Sequence, residues 1–130
     1  MADIPVAGTV LLVEDEPEIR RFIVKVLATQ GYVVLEAHDG GQALALCRQH
    51  PGPIHLLLTD VVIPDMSGPK LADNIQMLRP QIRLLYISAF DNGLVQRNFG
   101  MNAGATFLQK PFDAEDLLKK VRSVFMAEGQ

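Results

Sequence analysis

Along this chain, short runs of apolar residues alternate with stretches in which apolar residues recur at helical spacing. Thr9-Val10-Leu11-Leu12-Val13 is the first run and Tyr32 to Ala37 the second. The third, His55 to Thr59, leads straight into Asp60 and a turn containing Pro64. Ile82 to Ile87, closed by Ser88, is a fourth, and Ala105 to Leu108 a brief fifth. Runs of this length bounded by turn signals fit strands buried on both faces of a parallel sheet. Between them the period changes. Pro17 suits a first helical turn, Ile19, Phe22, Ile23, Val26 and Leu27 follow at helical intervals, and Gly31 supplies the stop. His38-Asp39-Gly40-Gly41 reads as a turn before a second helix marked by Ala43, Leu44 and Cys47, which ends before Pro51. Ser67-Gly68-Pro69 opens a third helix with Leu71, Ala72, Ile75 and Leu78 on one face, limited by Pro80. Residues 91–104, rich in Gly and Asn, predict a short, weak fourth helix around Leu94, Val95 and Phe99. Asp113 is a good N-cap for a last helix carrying Leu117, Leu118, Val121, Val124 and Phe125.

Five strands alternating with five helical patterns predict an α/β fold: a doubly wound, five-stranded parallel sheet of the flavodoxin-like order 2-1-3-4-5, with helices on both faces. No repeat or linker divides the chain, so residues 1–130 are expected to form one domain with a core of roughly 8–127. The net charge of −3, without any Lys/Arg block, argues against a nucleic-acid or anionic-membrane surface. No apolar run approaches the length of a membrane span, and Met1-Ala2-Asp3-Ile4-Pro5 lacks the features of a signal peptide. The one cysteine, Cys47, rules out an internal disulfide and sits in a helical pattern, as a buried and inert thiol would. A reduced, cytoplasmic domain is expected.

The polar residues fall at the strand ends. Strand one ends in Glu14-Asp15, strand three in Asp60, strand four in Ser88 and strand five in Lys110. In a parallel sheet these ends share one edge, and where the strand order reverses beside strand one, strands one and three become neighbours at the switch point. Glu14, Asp15 and Asp60 are then expected in one cleft, flanked by Ser88 and Lys110. Carboxylates that close resist ionisation unless a cation joins them, and hard oxygen ligands with room for water suit Mg²⁺. A lysine and a hydroxyl opposite are what a phosphoryl group needs as counter-charge and hydrogen-bond donor. Each residue alone has an ordinary explanation: Asp60 as a turn cap, Glu14-Asp15-Glu16 as acids at a helix N-terminus, Ser88 as a turn residue, Lys110 as a solvated side chain. Their coincidence on one edge favours a carboxylate poised to accept or hold a phosphoryl group with Mg²⁺. His38, His50 and His55 show no metal-ligand spacing.

Leu11-Leu12-Val13-Glu14-Asp15, Thr59-Asp60 with Pro64 and Met66-Ser67-Gly68, Ser88-Ala89 and Lys110-Pro111 occur in order, one group per strand end. In this arrangement the chain resembles the receiver domain of two-component response regulators, over roughly residues 8 to 127. The resemblance implies a role for each residue. Asp60 is the expected phosphoacceptor, attacking a phosphohistidine on a histidine kinase or histidine phosphotransfer protein. Asp15 is the expected direct Mg²⁺ ligand, with Asp60, the backbone carbonyl of Val62, and Glu14 through a metal-bound water. Lys110 would pair with the phosphoryl oxygens, Ser88 would donate a hydrogen bond to one of them, and the Lys110-Pro111 peptide would be cis. The output would be a two-state change in which Ser88 is drawn toward the phosphate and Phe107 repacks inward. Chemically this is a phosphoacceptor that assists its own phosphorylation, rather than an enzyme.

The chain departs from the family pattern in three ways. Glu14 stands where many relatives carry Asp, Phe107 where many carry Tyr, and the positions two after Asp60 and Ser88 hold the apolar Val62 and Phe90. Those last two positions tune hydrolysis of the phosphoaspartate in the family, and neither side chain here can orient a water, so slow autodephosphorylation is expected. The wording of Thr59 to Pro69 and of Phe107 to Phe112 resembles receivers of hybrid sensor histidine kinases. The family's usual contact surface, made by the fourth helix, fifth strand and last helix, is a candidate for self-association. Two alternatives stand beside this reading: a receiver-like interaction module without phosphotransfer, and an aspartate-nucleophile phosphohydrolase. A flavin or nucleotide binder would need a glycine-rich phosphate loop where Glu14-Asp15-Glu16 stands.

Overall fold

The computed structural model describes residues 7–89 and 106–127. Chain order is β1 (Gly8–Val13), α1 (Pro17–Ala28), β2 (Tyr32–Ala37), α2 (Gly40–Gln49), β3 (Leu56–Asp60), β4 (Val62–Ile63), β5 (Met66–Ser67), α3 (Gly68–Leu78), β6 (Arg83–Ser88), β7 (Phe107–Gln109) and a last helix, α4 (Ala114–Ala127). The five long strands form one parallel sheet in the order β2-β1-β3-β6-β7, the flavodoxin-like topology expected, with the two-residue strands β4 and β5 set apart as an antiparallel hairpin. The weak helix expected over 91–104, and Phe90, lie outside the described residues.

β1 is buried at all six positions because both of its faces are covered. Its side chains alternate with the period of two: Val10 and Leu12 pack with Ile23, Val26 and Leu27 of α1 and Leu117, Val121 and Val124 of α4. Leu11 and Val13 point the other way, to Ala43 and Cys47 of α2 and Leu71, Ala72 and Ile75 of α3. Each fully buried aliphatic side chain contributes on the order of 1.5–3 kcal/mol, so this two-sided layering is the main source of stability. Cys47 is buried and free, as expected.

Two positions depart from the helical stripes read in the sequence. Leu78 is 44% exposed, whereas Leu71 and Ile75 are fully buried. α3 stops at Leu78, and Arg79 leaves helical geometry to reach α2, so the stripe ends one turn early. There the Arg79 guanidinium donates to the carbonyls of Cys47, His50 and Gly52, capping the C-terminal end of α2. Phe22 is 39% exposed and meets the Phe112 ring, centroids 6.4 Å apart, instead of the core.

Helix ends follow local chemistry. Gly31, at φ 86°, closes α1 in the left-handed region where a side chain is disfavoured. Asp113 accepts from the Asp116 amide at 2.8 Å and its own amide donates back to Asp116, a reciprocal cap for α4. The Gly40-Gly41 pair, read as part of a turn, instead forms the first residues of α2, behind the N-cap Asp39.

Gly68 is the residue on which the site side of the fold turns. It begins α3 and its amide donates to the Val61 carbonyl at 2.6 Å. A β-carbon there would lie 2.2 Å from the Asp60 carbonyl oxygen and 3.0 Å from Val61 Cα, both backbone atoms that cannot turn aside. Gly68→Ala is therefore expected to cost at least about 1–3 kcal/mol in urea unfolding, while Leu78→Ala, at an exposed helix end, should stay within about 0.5 kcal/mol.

Candidate functional site

The strand register brings the polar ends level. Val13 lies beside Thr59, Asp60 beside Ile87 and Ser88 beside Gln109, so the residues that follow β1 and β7 open onto the same edge as Asp60 and Ser88. Carboxylate oxygens of Glu14, Asp15 and Asp60 all lie within 4.8 Å of one another. Glu14 is fully buried, Asp60 is 7% exposed, and Asp15 is open to solvent. Asp15, Asp60, Val62, Ser88 and Lys110 line one cleft of about 190 Å³. Every residue expected at the cleft from its strand-end position is therefore there or directly beside it.

Local bonds hold each group in place. The Glu14 amide extends the β1–β2 ladder to the Ala37 carbonyl at 3.0 Å, and Arg20 of α1 donates to the Glu14 carbonyl at 2.7 Å. The Val61 amide donates to the Ile87 carbonyl, continuing the β3–β6 ladder past Asp60. On the opposite wall the Lys110 amide donates to the Ser88 carbonyl at 2.8 Å, and the Lys110-Pro111 peptide is cis, as the resemblance implied. From there the Lys110 ammonium reaches Glu16 at 2.9 Å, Asp60 at 3.3 Å and Glu14 at 3.4 Å.

Glu16 was not singled out in the sequence, where it read as one more acid at a helix start. It occupies the N-cap of α1 but makes no side-chain cap bond, and its carboxylate holds Lys110 instead. Glutamate is a poor N-cap, and that mismatch was the available signal. Phe107 is buried, its ring 5.7 Å from that of Tyr86, so it already faces inward. Val62 stands at the rim, 55% exposed.

Electrostatics follow from the crowding. Burial, then the hydrogen bond and charge of neighbouring Glu14, push Asp60 from 3.8 up to about 8, against the pull of Lys110. Burial alone would lower Lys110, but its bond to Glu16 and the charges of Asp60 and Glu14 outweigh that and raise it. One oxygen of Glu14, Oε2, accepts the Glu16 amide at 3.1 Å. The other, Oε1, is buried and has no hydrogen bond among the described residues. Oε1 lies 3.4 Å from the Lys110 ammonium, and that one lysine also serves Glu16 and Asp60, so the donor set of buried carboxylate oxygens remains short of positive charge and fits a hard divalent cation.

A parallel sheet that sets acids from two adjacent strands against a lysine at its carboxyl edge defines an α/β domain with a site suited to a divalent cation and a phosphoryl group. Comparison with known proteins makes the class specific. The response regulator receiver domain family matches residues 10–122, and the chain belongs to that family. It is thus a phosphorelay receiver domain of two-component signalling. The sensor kinase CckA of Brucella abortus (strain 2308) is 34% identical over 122 residues, which are 94% of this chain and 13% of that protein. The response regulator receiver protein CpdR of the same organism is 32% identical over 118 residues, 91% of this chain and 97% of that protein. A crystal structure of the receiver domain from hybrid histidine kinase CckA superimposes with a TM-score of 0.75 at 34% identity, covering 89% of this chain and 97% of that one. Receiver domains bind Mg²⁺ at an acidic pocket and interact with histidine kinases or phosphotransfer proteins, and this chain carries the corresponding acidic cluster. Among the described residues no helix is long and apolar enough to cross a membrane.

The raised Asp60 gives a pH signature. Without metal the folded protein keeps a proton that the unfolded chain releases above pH 3.8, so stability is full below that value and declines as pH rises toward about 8. The slope is at most roughly 1.4 kcal/mol per pH unit for one proton. Urea unfolding between pH 5 and pH 8 in chelator should show this decline in the wild type and its loss in Asp60→Asn. Saturating Mg²⁺ should reverse it.

Proposed function

We propose that Asp60 is the phosphoacceptor and that it takes its phosphoryl group from a phosphohistidine on a histidine kinase or histidine phosphotransfer protein. The observation that carries this reading is the convergence of Asp60 with Glu14 and Asp15 on one side and the Lys110 ammonium, 3.3 Å away, on the other. An Asp60 carboxylate oxygen attacks phosphorus in line with the departing imidazole nitrogen. The O–P bond forms as the N–P bond breaks, and the nitrogen keeps the bonding pair. Lys110 meets the phosphoryl oxygens and offsets their charge, and Ser88, at the end of the neighbouring strand, donates to one of them. Asp15, Asp60 and the Val62 carbonyl would hold Mg²⁺ directly, and Glu14 would hold it through a water. Bound Mg²⁺ supplies the charge neutralisation that lets three acids and a phosphoryl group share the cleft.

Residues 1–130 are read as one receiver domain with a core of about 8–127, a cytoplasmic switch and not an enzyme with turnover. The switch residues are Ser88 and Phe107. Phe107 is already inward before phosphorylation, so in this reading it holds the packed position while Ser88 is drawn toward the phosphate. The surface of β7 and α4 is the described part of the candidate face for self-association; the fourth-helix part of that expectation falls on residues 91–104, outside the described residues. Neither nucleic acid nor membrane is a partner in this reading. The phosphoryl group is long-lived, because Val62 stands at the mouth of the cleft and its apolar side chain, like that of Phe90, has no group to orient an attacking water.

Intact-protein mass spectrometry after incubation with acetyl phosphate and Mg²⁺ should show one added phosphoryl group, absent from Asp60→Ala and from chelated samples. No adduct on a folded wild type, with a beryllofluoride analogue also failing to bind, would replace this reading with a silent interaction module. Followed over time, Val62→Asn should shorten the adduct's lifetime by roughly tenfold, about 1.4 kcal/mol off the hydrolysis barrier. An unchanged lifetime would refute the role given to Val62.

A further inference from the structure

Outside the cleft, the residue with the clearest unexplained geometry is Asp65. It sits in the Pro64-Asp65 turn of the β4–β5 hairpin, which leaves the sheet directly after Asp60. Its two carboxylate oxygens accept the amides of Gly40 and Gly41, at 2.8 and 2.9 Å, across 25 and 24 residues of chain. Those are the first two amides of α2, and the third, from Gln42, is already taken by the N-cap Asp39 at 2.7 Å. The first three amides of that helix are thus satisfied, two of them by a side chain from another part of the fold. Next to Asp65, Met66 lies over Gly40 so closely that a β-carbon there would meet Met66 Cε at 2.6 Å. The hairpin is therefore docked on α2 by an ionic latch and a side-chain contact together.

A hairpin of two-residue strands has little stability of its own. Its first strand carries Val62, paired with Ser67, and Val62 follows Asp60 by two residues. We propose that Asp65 is a positioning residue: its latch on the Gly40 and Gly41 amides holds the β4–β5 hairpin so that Val62 is set against the Asp60 cleft, ready for Mg²⁺. This rests on the reading of the Asp60 cleft as the Mg²⁺ and phosphoryl site. The hydrogen bond from Gly40 and then that from Gly41 hold the exposed Asp65 carboxyl below its ordinary 3.8, so the latch carries its charge at neutral pH. Helix N-termini favour a negative partner of this kind. Asp65 touches neither metal nor phosphoryl group in this scheme and acts only through the hairpin, as outer partners of metal ligands do.

The test is Mg²⁺ titration by calorimetry of wild type, Asp65→Ala and Asp65→Asn, with amide hydrogen exchange of Gly40 and Gly41 in metal-free protein. Asp65→Ala should weaken Mg²⁺ binding by roughly tenfold, the lower end for loss of an outer partner, and speed exchange at both glycines. Asp65→Asn, which keeps one carbonyl acceptor, should fall between it and wild type. A purely structural cap would speed exchange and lower the unfolding midpoint without moving Mg²⁺ affinity, and that result would overturn the proposal. If Asp65→Ala fails to fold, Asp65→Asn decides: wild-type Mg²⁺ affinity with faster glycine exchange counts against positioning. Phosphorylation of the wild type by acetyl phosphate is scored separately. Its failure would overturn the phosphoacceptor reading, whereas the Mg²⁺ titration still decides the role of Asp65.

Discussion

Glu14 and Asp60 are buried side by side at the carboxyl edge of the sheet, and the cost of keeping two acids there shapes what surrounds them. Like charges at that distance with little solvent screening cannot both ionise freely. The protein meets this partly with Lys110, whose ammonium faces Glu14, Glu16 and Asp60 at once. It leaves the rest unmet, since one ammonium is shared among three acids and Asp60 still holds its proton well above the ordinary range. A site left short of positive charge is poised to take up a cation, and a group that arrives with one.

That arrangement is only as good as the scaffold that aims it. Glu14 is placed by the last rung of the β1–β2 ladder and Asp60 by β3. Lys110 is placed by its amide bond to the end of β6. Three separate strands contribute, so the geometry depends on their relative register, and the register depends on a sheet packed on both faces. Gly68 adds a tight constraint, because α3 begins against the Asp60 carbonyl with no room for a side chain. The residues most sensitive for the chemistry are thus also among the most sensitive for the fold.

Much of this was legible in the chain because its signals are local. Apolar runs of strand length, the change to helical spacing, and punctuation by Pro17, Gly31 and Asp113 are each set by a few neighbouring residues. The strand-end acids, Ser88 and Lys110 were visible because strand ends are visible. Less legible were contacts between residues far apart in sequence. Nothing near Glu16 announces that it will meet Lys110 across 94 residues. Nothing near Asp65 or Arg79 announces that they will cap the two ends of α2. The exposure of Leu78 and Phe22 was equally hidden, since periodicity says which side of a helix is apolar but not how far the neighbouring layer extends.

The sequence by itself determined the alternating strands and helices, the two-faced burial of β1 and β3, and the set of acids, hydroxyl and lysine at the strand ends. These follow from side-chain polarity and backbone propensity read over short windows. Only the tertiary structure decided which carboxylates are buried, which of them Lys110 holds, and how the hairpin after Asp60 is tied to α2. Burial and ion pairing depend on which segments meet in space, and that is set by the packing of the whole sheet and its helices rather than by any stretch of chain alone.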